Sequence, residues 1–360
     1  MLGYLTSMTA HAEHSKNDVI MHGAALGLGL TAFASSNSGA GNRLKELMSV
    51  NNSVIGEAAA LGIGLVYAGT GNEMILSELA NSADESDHEK ILRSICLSIG
   101  IVNFELPSKE YLKNIENNPK LKLAVPMYLA MAYFKTSNHE AIRKLLQCAN
   151  DISNEVKRAA VIALGFVMYH DPHLVQLIQM MIYSYNPSIR YACAMALMVG
   201  ARESKEVIEL IWPLLTDAVD YVRQAAFISI AVLLQVSTVQ SEPKLADFRK
   251  LITDTMGKKH EETLAKMGAI LATGILDIGG RNMVVSLTTR SGVAKIEAVV
   301  SMLVFSNFWN WFPYINFIGL TLTPSAYIGV TTDLKVPANF QLRSTAKPGT
   351  FDYPANIVKE

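Results

Sequence analysis

Gly23-Ala-Ala-Leu-Gly-Leu-Gly-Leu30 returns thirty-five residues later as Ala58-Ala-Ala-Leu-Gly-Ile-Gly-Leu65, and the chain goes on rewriting the phrase. Taking Leu26 as the mark, equivalent positions fall at Leu61, Leu97, Leu129, Leu164, Leu197, Ile230 and Thr273. The steps are 35, 36, 32, 35, 33, 33 and 43, a period near 34 with one insertion. Periods of this size belong to repeat architectures, whose units are too small to bury an apolar face alone.

The residues beside the mark say how the helices pack. Before it stand Ala25, Ala60, Cys96, Tyr128, Ala163, Ala196, Ser229 and Ala272; after it stand Gly27, Gly62, Ser98, Ala130, Gly165, Met198, Ala231 and Gly274. Each column is small in seven units of eight. Residues two apart on a helix point about 200° apart, so these helices are slim on two opposite sides. Glycine inside a helix costs about 1 kcal/mol against alanine, and close backbone packing is the compensation to expect. Gly23, Gly27, Gly62, Gly165 and Gly274 are therefore the candidate packing residues. Leucine at Gly62 is expected to lower the melting temperature far more than leucine at Lys45, which lies on a charged return helix. Equal melting temperatures would count against a helix slim on both sides.

Between the small-residue helices run return helices such as Ala141-Ile-Arg-Lys-Leu-Leu146, amphipathic and more charged, which should face outward. Glycine and asparagine in turns such as Ala68-Gly-Thr-Gly-Asn72 can supply the left-handed residue past a helix end. Seven residues before the mark a basic column recurs as Lys90, Lys122, Lys157, Arg190, Arg223 and Lys266. An ion-pair ladder between repeats explains it better than a stripe that docks an acidic partner.

Half of the 360 residues are hydrophobic and 18% are charged, so the chain is globular. A net charge of −1 gives no nucleic-acid footprint. Cys96, Cys148 and Cys193 have no pairing or metal spacing and read as reduced core residues of an intracellular protein. Met1 to Ala10 has no signal-peptide pattern. The uncharged stretch Ala298–Thr332 is long enough for a membrane, but Asn307, Asn310, Asn316, Pro313 and Pro324 favour a docked segment.

Catalytic signatures are missing. Gly27-Leu-Gly29-Leu-Thr-Ala32 fits the dinucleotide pattern in letters, yet that pattern needs a strand turning into a helix, and these glycines lie inside a helix. His11 with His14, and His170 with His173, lack a third ligand. No enzyme activity, cofactor or metal is expected.

After the small-residue helix Ala265–Ile278 and Gly279-Gly280 the texture changes. Asn282–Thr289 and Ala326–Val330 are strand-like, and Phe305–Phe317 is dense in aromatics. The expected organisation is a lead-in over 1–18, an α-solenoid of repeats over 19–280 and a β-rich aromatic module over 281–360. Phe305, Phe308, Trp309, Trp311 and Phe312 are the candidate capping or interface residues, because a solenoid end needs a cover. In this arrangement the module folds over the last repeat, with Asn307 and Asn310 bonding the backbone at the turn.

Several segments carry a family resemblance. They are Val156-Lys-Arg-Ala-Ala-Val-Ile-Ala-Leu-Gly-Phe166, Tyr185-Asn-Pro-Ser-Ile-Arg-Tyr191, Asp220-Tyr-Val-Arg-Gln-Ala225, Phe305-Ser-Asn-Phe-Trp-Asn-Trp-Phe-Pro313 and Leu322-Thr-Pro324. With the small-residue repeats they resemble the proteasome/cyclosome-repeat family. That family includes the two large non-ATPase base subunits of the proteasome regulatory particle and the largest anaphase-promoting-complex subunit. The similarity runs from about His22 to Tyr353 and is closest to the larger base subunit; the Phe305–Pro313 and Leu322–Pro324 segments set it apart from the cyclosome branch. The resemblance implies a mainly α fold, a toroid of helix–turn–helix repeats in two rings, and a scaffold in cytoplasm and nucleus. Its implied partners are the ATPase base, the lid with its deubiquitinase and a ubiquitin receptor, with no nucleic acid and no membrane. The family's long N-terminal rod, its first repeats and its charged C-terminal tail have no counterpart in these 360 residues. Receptor anchoring, which uses that tail, is therefore the implied role that carries over least.

Overall fold

A computed structural model describes residues 17–50, 52–201, 206–235, 237, 241–278, 282–289, 291–325, 331–333 and 335. Most of the lead-in, His11, His14, Glu203-Ser204, Gly279-Gly280, the strand-like Ala326–Val330 and the prolines of the tail lie outside them. Met1–Pro324 forms one compact unit and Ser325–Glu360 a second, of which little more than the turn at Thr331–Asp333 is described.

The first unit is an array of helix pairs. The small-residue helices are α1 (Asp18–Thr31), α3 (Ser53–Val66), α5 (Glu89–Val102), α7 (Ala124–Ala132), α9 (Asn154–Val167), α11 (Pro187–Gly200), α13 (Asp220–Leu233) and α15 (Thr263–Leu276). Between them run α2 (Ser38–Met48), α4 (Glu73–Glu85), α6 (Lys109–Asn117) and α8 (His139–Cys148). The same outer series continues with α10 (His173–Gln179), α12 (Glu206–Ile211) and α14 (Lys244–Gly257). Each odd-numbered helix packs on the next odd-numbered one, so α3 to α13 are each held between two neighbours. This is the α-solenoid that the repeat period implies.

Asparagine is the recurrent starting signal. The side chains of Asn17, Asn37, Asn52, Asn72, Asn138 and Asn186 accept hydrogen bonds from the first backbone N–H groups of their helices. Those donors have no partner inside the helix. Asn72, which the sequence suggests as a helix end, thus opens a helix instead.

The inner helices stop in a turn with left-handed residues. Gly69 and Gly71 take positive φ, but so do Ala34, Ser36, Glu105, Lys135, Ser137 and His170 at the corresponding turns. A side chain there costs roughly 1–2 kcal/mol. The offset comes from the next repeat, whose last helical carbonyls lack partners in their own helix. Ala34 and Ser36 donate to the carbonyls of Leu65 and Val66, and Gly69 and Gly71 to those of Ile101 and Val102. Lys135 and Ser137 donate to Phe166 and Val167, and Glu105 and His170 repeat the pattern on Met131 and Gly200.

Aligning the helix ends corrects the register read from sequence. Leu26, Leu61 and Leu97 lie five residues before their helix ends, whereas Leu129, Leu164, Leu197, Ile230 and Thr273 lie three before theirs. The shortened α7, preceded by a 3₁₀ turn at Pro119–Leu121, absorbs this shift of two. In the corrected register Gly29, Gly64, Gly100, Gly165 and Gly274 share one column, two residues before the helix end, facing the following repeat. A Cβ at Gly29 would lie 2.6 Å from the Gly62 Cα, and one at Gly64 2.7 Å from the Ser98 Cα. At Gly165 it would collide with the Ala196 carbonyl. The receiving column, four before the end, holds Gly27, Gly62, Ser98, Ala163, Ala196 and Ala272.

The basic column divides in the same way. Arg190 holds Asp217 through two bonds of 2.7 and 2.9 Å, and Arg223 reaches Glu261 and Glu262 of the next turn. These are rungs between repeats. Lys90 belongs to another face, described below.

Beyond α15 the described residues do not form a cap over the last repeat. Gln235 accepts a bond from the Val285 N–H and donates to the Ile275 carbonyl, which pins β1 (Met283–Val285) beside α13 and α15. An isolated Thr288–Ala294 bridge follows, and Ile296–Phe308 forms helix α16, buried along nearly its whole length. A 3₁₀ segment at Tyr314–Thr321 then leads to β2 (Leu322–Pro324), antiparallel to β1 with Val284 opposite Thr323. The β-rich character expected here reduces, among the described residues, to these three-residue strands and one bridge. Of the two strand-like stretches, Asn282–Thr289 supplies β1 and one end of the bridge, while Ala326–Val330 lies outside the described residues. The segment crosses the middle of the array, against α7 and α9, while Leu264, Met267 and Ile270 of α15 stay exposed. The expected end cap is thus a central brace. Asn307 donates to the Leu303 carbonyl of its own helix, and Asn310 is exposed.

Candidate interaction site

The fifth residue of an inner helix falls on the side that meets this brace. In α1, α3, α5, α9 and α11 it is His22, Glu57, Arg93, Arg158 and Tyr191. These five helices thus place a polar group at the same position, in line.

Against this line α16 delivers its aromatic end. The Phe308 ring lies 5.2 Å from the Arg93 guanidinium and 5.9 Å from that of Arg158. The face of a ring is negative, so it attracts both cations. Arg93 is further held by Glu155 at 2.9 Å, a residue two inner helices away. The Trp309 indole N–H donates to the Tyr191 hydroxyl at 2.9 Å, and the Lys90 ammonium sits 4.6 Å over the Trp311 ring. Phe305, Phe308 and Trp309 are buried; Trp311 is 37% exposed and Phe312 77%. Of the five aromatic candidates, three anchor the brace and two form its rim.

Glu57 is the chemically unusual member. It is only 2% exposed, and burial pushes its carboxyl up to about 7, against the opposing pull of Lys90, Arg93 and the Trp311 donor. Burial, with Lys90, lowers the His22 imidazole. Because the folded pKa of Glu57 exceeds the ordinary 4.5, its neutral form favours the fold. That contribution is complete below pH 4.5 and is lost as pH rises through about 7. Glu57→Gln, neutral throughout, should therefore stabilise the protein by about 3 kcal/mol at pH 8 and by almost nothing at pH 4. Urea unfolding at the two pH values measures it; a gain of equal size at both would sink the assignment.

The other sequence candidates fall into two groups. Gly62 and Gly165 are buried between helices, whereas a Cβ at Gly23 or Gly274 would meet nothing within 4 Å. Gly27 is half-buried and lines a cavity of about 490 Å³ between α1 and the Pro313–Leu320 stretch. The dinucleotide reading fails on geometry, since Gly27 and Gly29 lie in the body of α1 and Gly29 is packed on Gly62.

Reactive chemistry finds little footing. Burial pushes the Cys96 thiol up to about 12 and Cys148 up to about 11, away from thiolate character. Among the described residues no group of three or more His, Cys, Asp or Glu side chains could hold a metal ion. His173 pairs with Asp171 at 2.8 Å. No helix among them is long and apolar enough to cross a membrane. The arrangement can brace an array and present exposed edges. The polar line was missed because the marks slip by two, which scatters one column over two faces. The usable signal is a polar residue at the fifth place of α1, α3, α5, α9 and α11.

Comparison with known proteins adds the following. A family model for proteasome/cyclosome repeats matches residues 58–92, and one for HEAT repeats matches 142–231. The 26S proteasome non-ATPase regulatory subunit 1 homolog A of Arabidopsis thaliana is 40% identical over 94% of this chain and 34% of its own length. The 26S proteasome non-ATPase regulatory subunit 1 of Drosophila melanogaster is 38% identical, over 97% of this chain and 35% of its own. For the 26S proteasome regulatory subunit rpn2 of Schizosaccharomyces pombe the values are 35%, 96% and 37%. The chain spans about a third of the length of these relatives.

Proposed function

The chain belongs, over nearly its whole length, to the family of the 26S proteasome non-ATPase regulatory subunit 1, and from that membership we propose that it is a non-catalytic scaffold of the proteasome regulatory particle. The observation that carries the proposal is the extent of the similarity, which takes in the repeats and the aromatic brace alike. In this reading the array organises the ATPase base, the lid with its deubiquitinase and, where present, a ubiquitin receptor, in cytoplasm and nucleus. It takes no cofactor, nucleic acid or membrane.

One edge of the array suits such a role. Ile152 and Tyr185 stand just before the inner helices of adjacent repeats, 97% and 93% exposed, beside Met180 and Tyr183. Tyrosine and methionine are enriched in protein interfaces. Tagging the chain in its source cell, purifying it and identifying the co-purified proteins by mass spectrometry tests the proposal. Regulatory-particle ATPases and lid subunits are expected. Recovery of anaphase-promoting-complex subunits instead, or of neither set, would overturn it.

A further inference from the structure

Outer helices of neighbouring repeats are tied by ion pairs at fixed places. Lys45, eighth in α2, pairs with Glu78, sixth in α4; Glu116, eighth in α6, pairs with Lys144, sixth in α8. A second rung joins Lys109, first in α6, to Glu140, second in α8, at 2.6 Å. The seam between α4 and α6 is built differently. Its eighth and sixth residues are Ala80 and Asn114, which cannot form an ion pair. Its first and second are Glu73 and Glu110, two carboxylates where the next seam has a base and an acid. Among the described residues no ion pair holds either of them.

Where these rungs are replaced, a groove of about 430 Å³ opens between the two helices. Leu76, Ala80, Tyr111 and Ile115 give it an apolar lining, and the exposed Glu73 and Glu110 border it. The volume is that of a ligand site, about 300–1,000 Å³. Farther along α4 the seam is closed, because the Lys120 ammonium bonds the Asp84 and Ser86 carbonyls and the Asp87 carboxylate.

We propose that this groove docks a basic segment of another protein, with one Lys or Arg side chain entering between Glu73 and Glu110 and an apolar neighbour lying on Leu76 and Tyr111. Charge complementarity names the occupant. The α4 helix carries four acids and no base, and like charges bordering one groove select a partner of the opposite sign. The incoming cation takes the place that Lys109 fills in the next seam, and Ser77 and Asn114 line the groove as hydrogen-bonding groups for the segment's main chain. Met74, 69% exposed beside Glu73, extends the apolar surface. The proposal stands whichever assembly the chain serves.

Fluorescence anisotropy of the purified full chain with short labelled peptides tests it. One peptide set has a central Arg-Leu or Lys-Leu in random flanks, and the counter-set has Glu-Leu. Members of the basic set should bind and the acidic set should not, and added salt should weaken the binding. Glu73→Lys transplants the Lys109–Glu140 rung into this seam. It should cut peptide affinity by about tenfold or more without lowering the melting temperature. Glu110→Gln, which adds no charge of its own, should weaken binding about threefold. Glu206→Lys makes the same charge change on α12 and should leave binding unchanged. Absence of binding by the basic set, equal binding by the acidic one, full affinity in Glu73→Lys and Glu110→Gln, or an equal loss in Glu206→Lys would each overturn the proposal.

Discussion

Replacing Gly165 by leucine is expected to destabilise the array by at least about 3 kcal/mol, the upper part of the range for overpacked cores. A side chain there meets the backbone carbonyl of Ala196 in the next inner helix, which cannot swing aside like a side-chain tip. The same substitution at Gly274 sits in the same column with open space in front. It should keep only the gain in helix propensity, up to about 1 kcal/mol of added stability. Two identical changes at equivalent places in the repeat should thus have opposite signs. Urea midpoints of the two variants at low protein concentration decide it; a shared sign would refute the packing described here. Gly62 is an intermediate case, because the nearest wall is the tip of Leu44, with the Ala25 carbonyl at 3.2 Å.

Trp309→Ala should rank with it, at about 3–5 kcal/mol. The ring is buried, and its removal leaves a cavity between the brace and α11 as well as a buried Tyr191 hydroxyl without its donor. Phe312→Ala, four-fifths exposed at the rim, should change stability by less than about 0.5 kcal/mol. Equal urea midpoints for these two variants would mean that α16 is not a brace.

Much of this molecule is legible in its letters. The recurrence of small residues around Leu26 and Leu61 is enough for a stacked two-sided helix, because only close packing explains interior glycine. Register was harder. Nothing in Leu97 or Leu129 tells the reader that α7 has lost its first turn, and two residues on a helix exchange one face for the other. That slip hid the line from His22 to Tyr191 and merged Lys90 with arginines of a different face. The aromatic block was recognisable as something that must be buried, but its destination was not. Burial is a demand any apolar surface can meet, and the middle of the array offers Arg93, Arg158 and Tyr191 as partners, which the face of α15 lacks. The left-handed turns were half visible: Gly69 and Gly71 announce them, while Lys135 and His170 do not, since the hydrogen bonds that hold them belong to the main chain.

Those turns have a bearing on how the array comes apart. Each strained turn is unfavourable by itself and becomes favourable only when the following helix presents its carbonyls. In a row of such units the intrinsic stability of one repeat is low and the coupling to its neighbour is high, the condition under which a linear array behaves as a single cooperative block. A fault introduced in one repeat should accordingly propagate along the row, so that neighbours whose own sequences are intact lose their order with it.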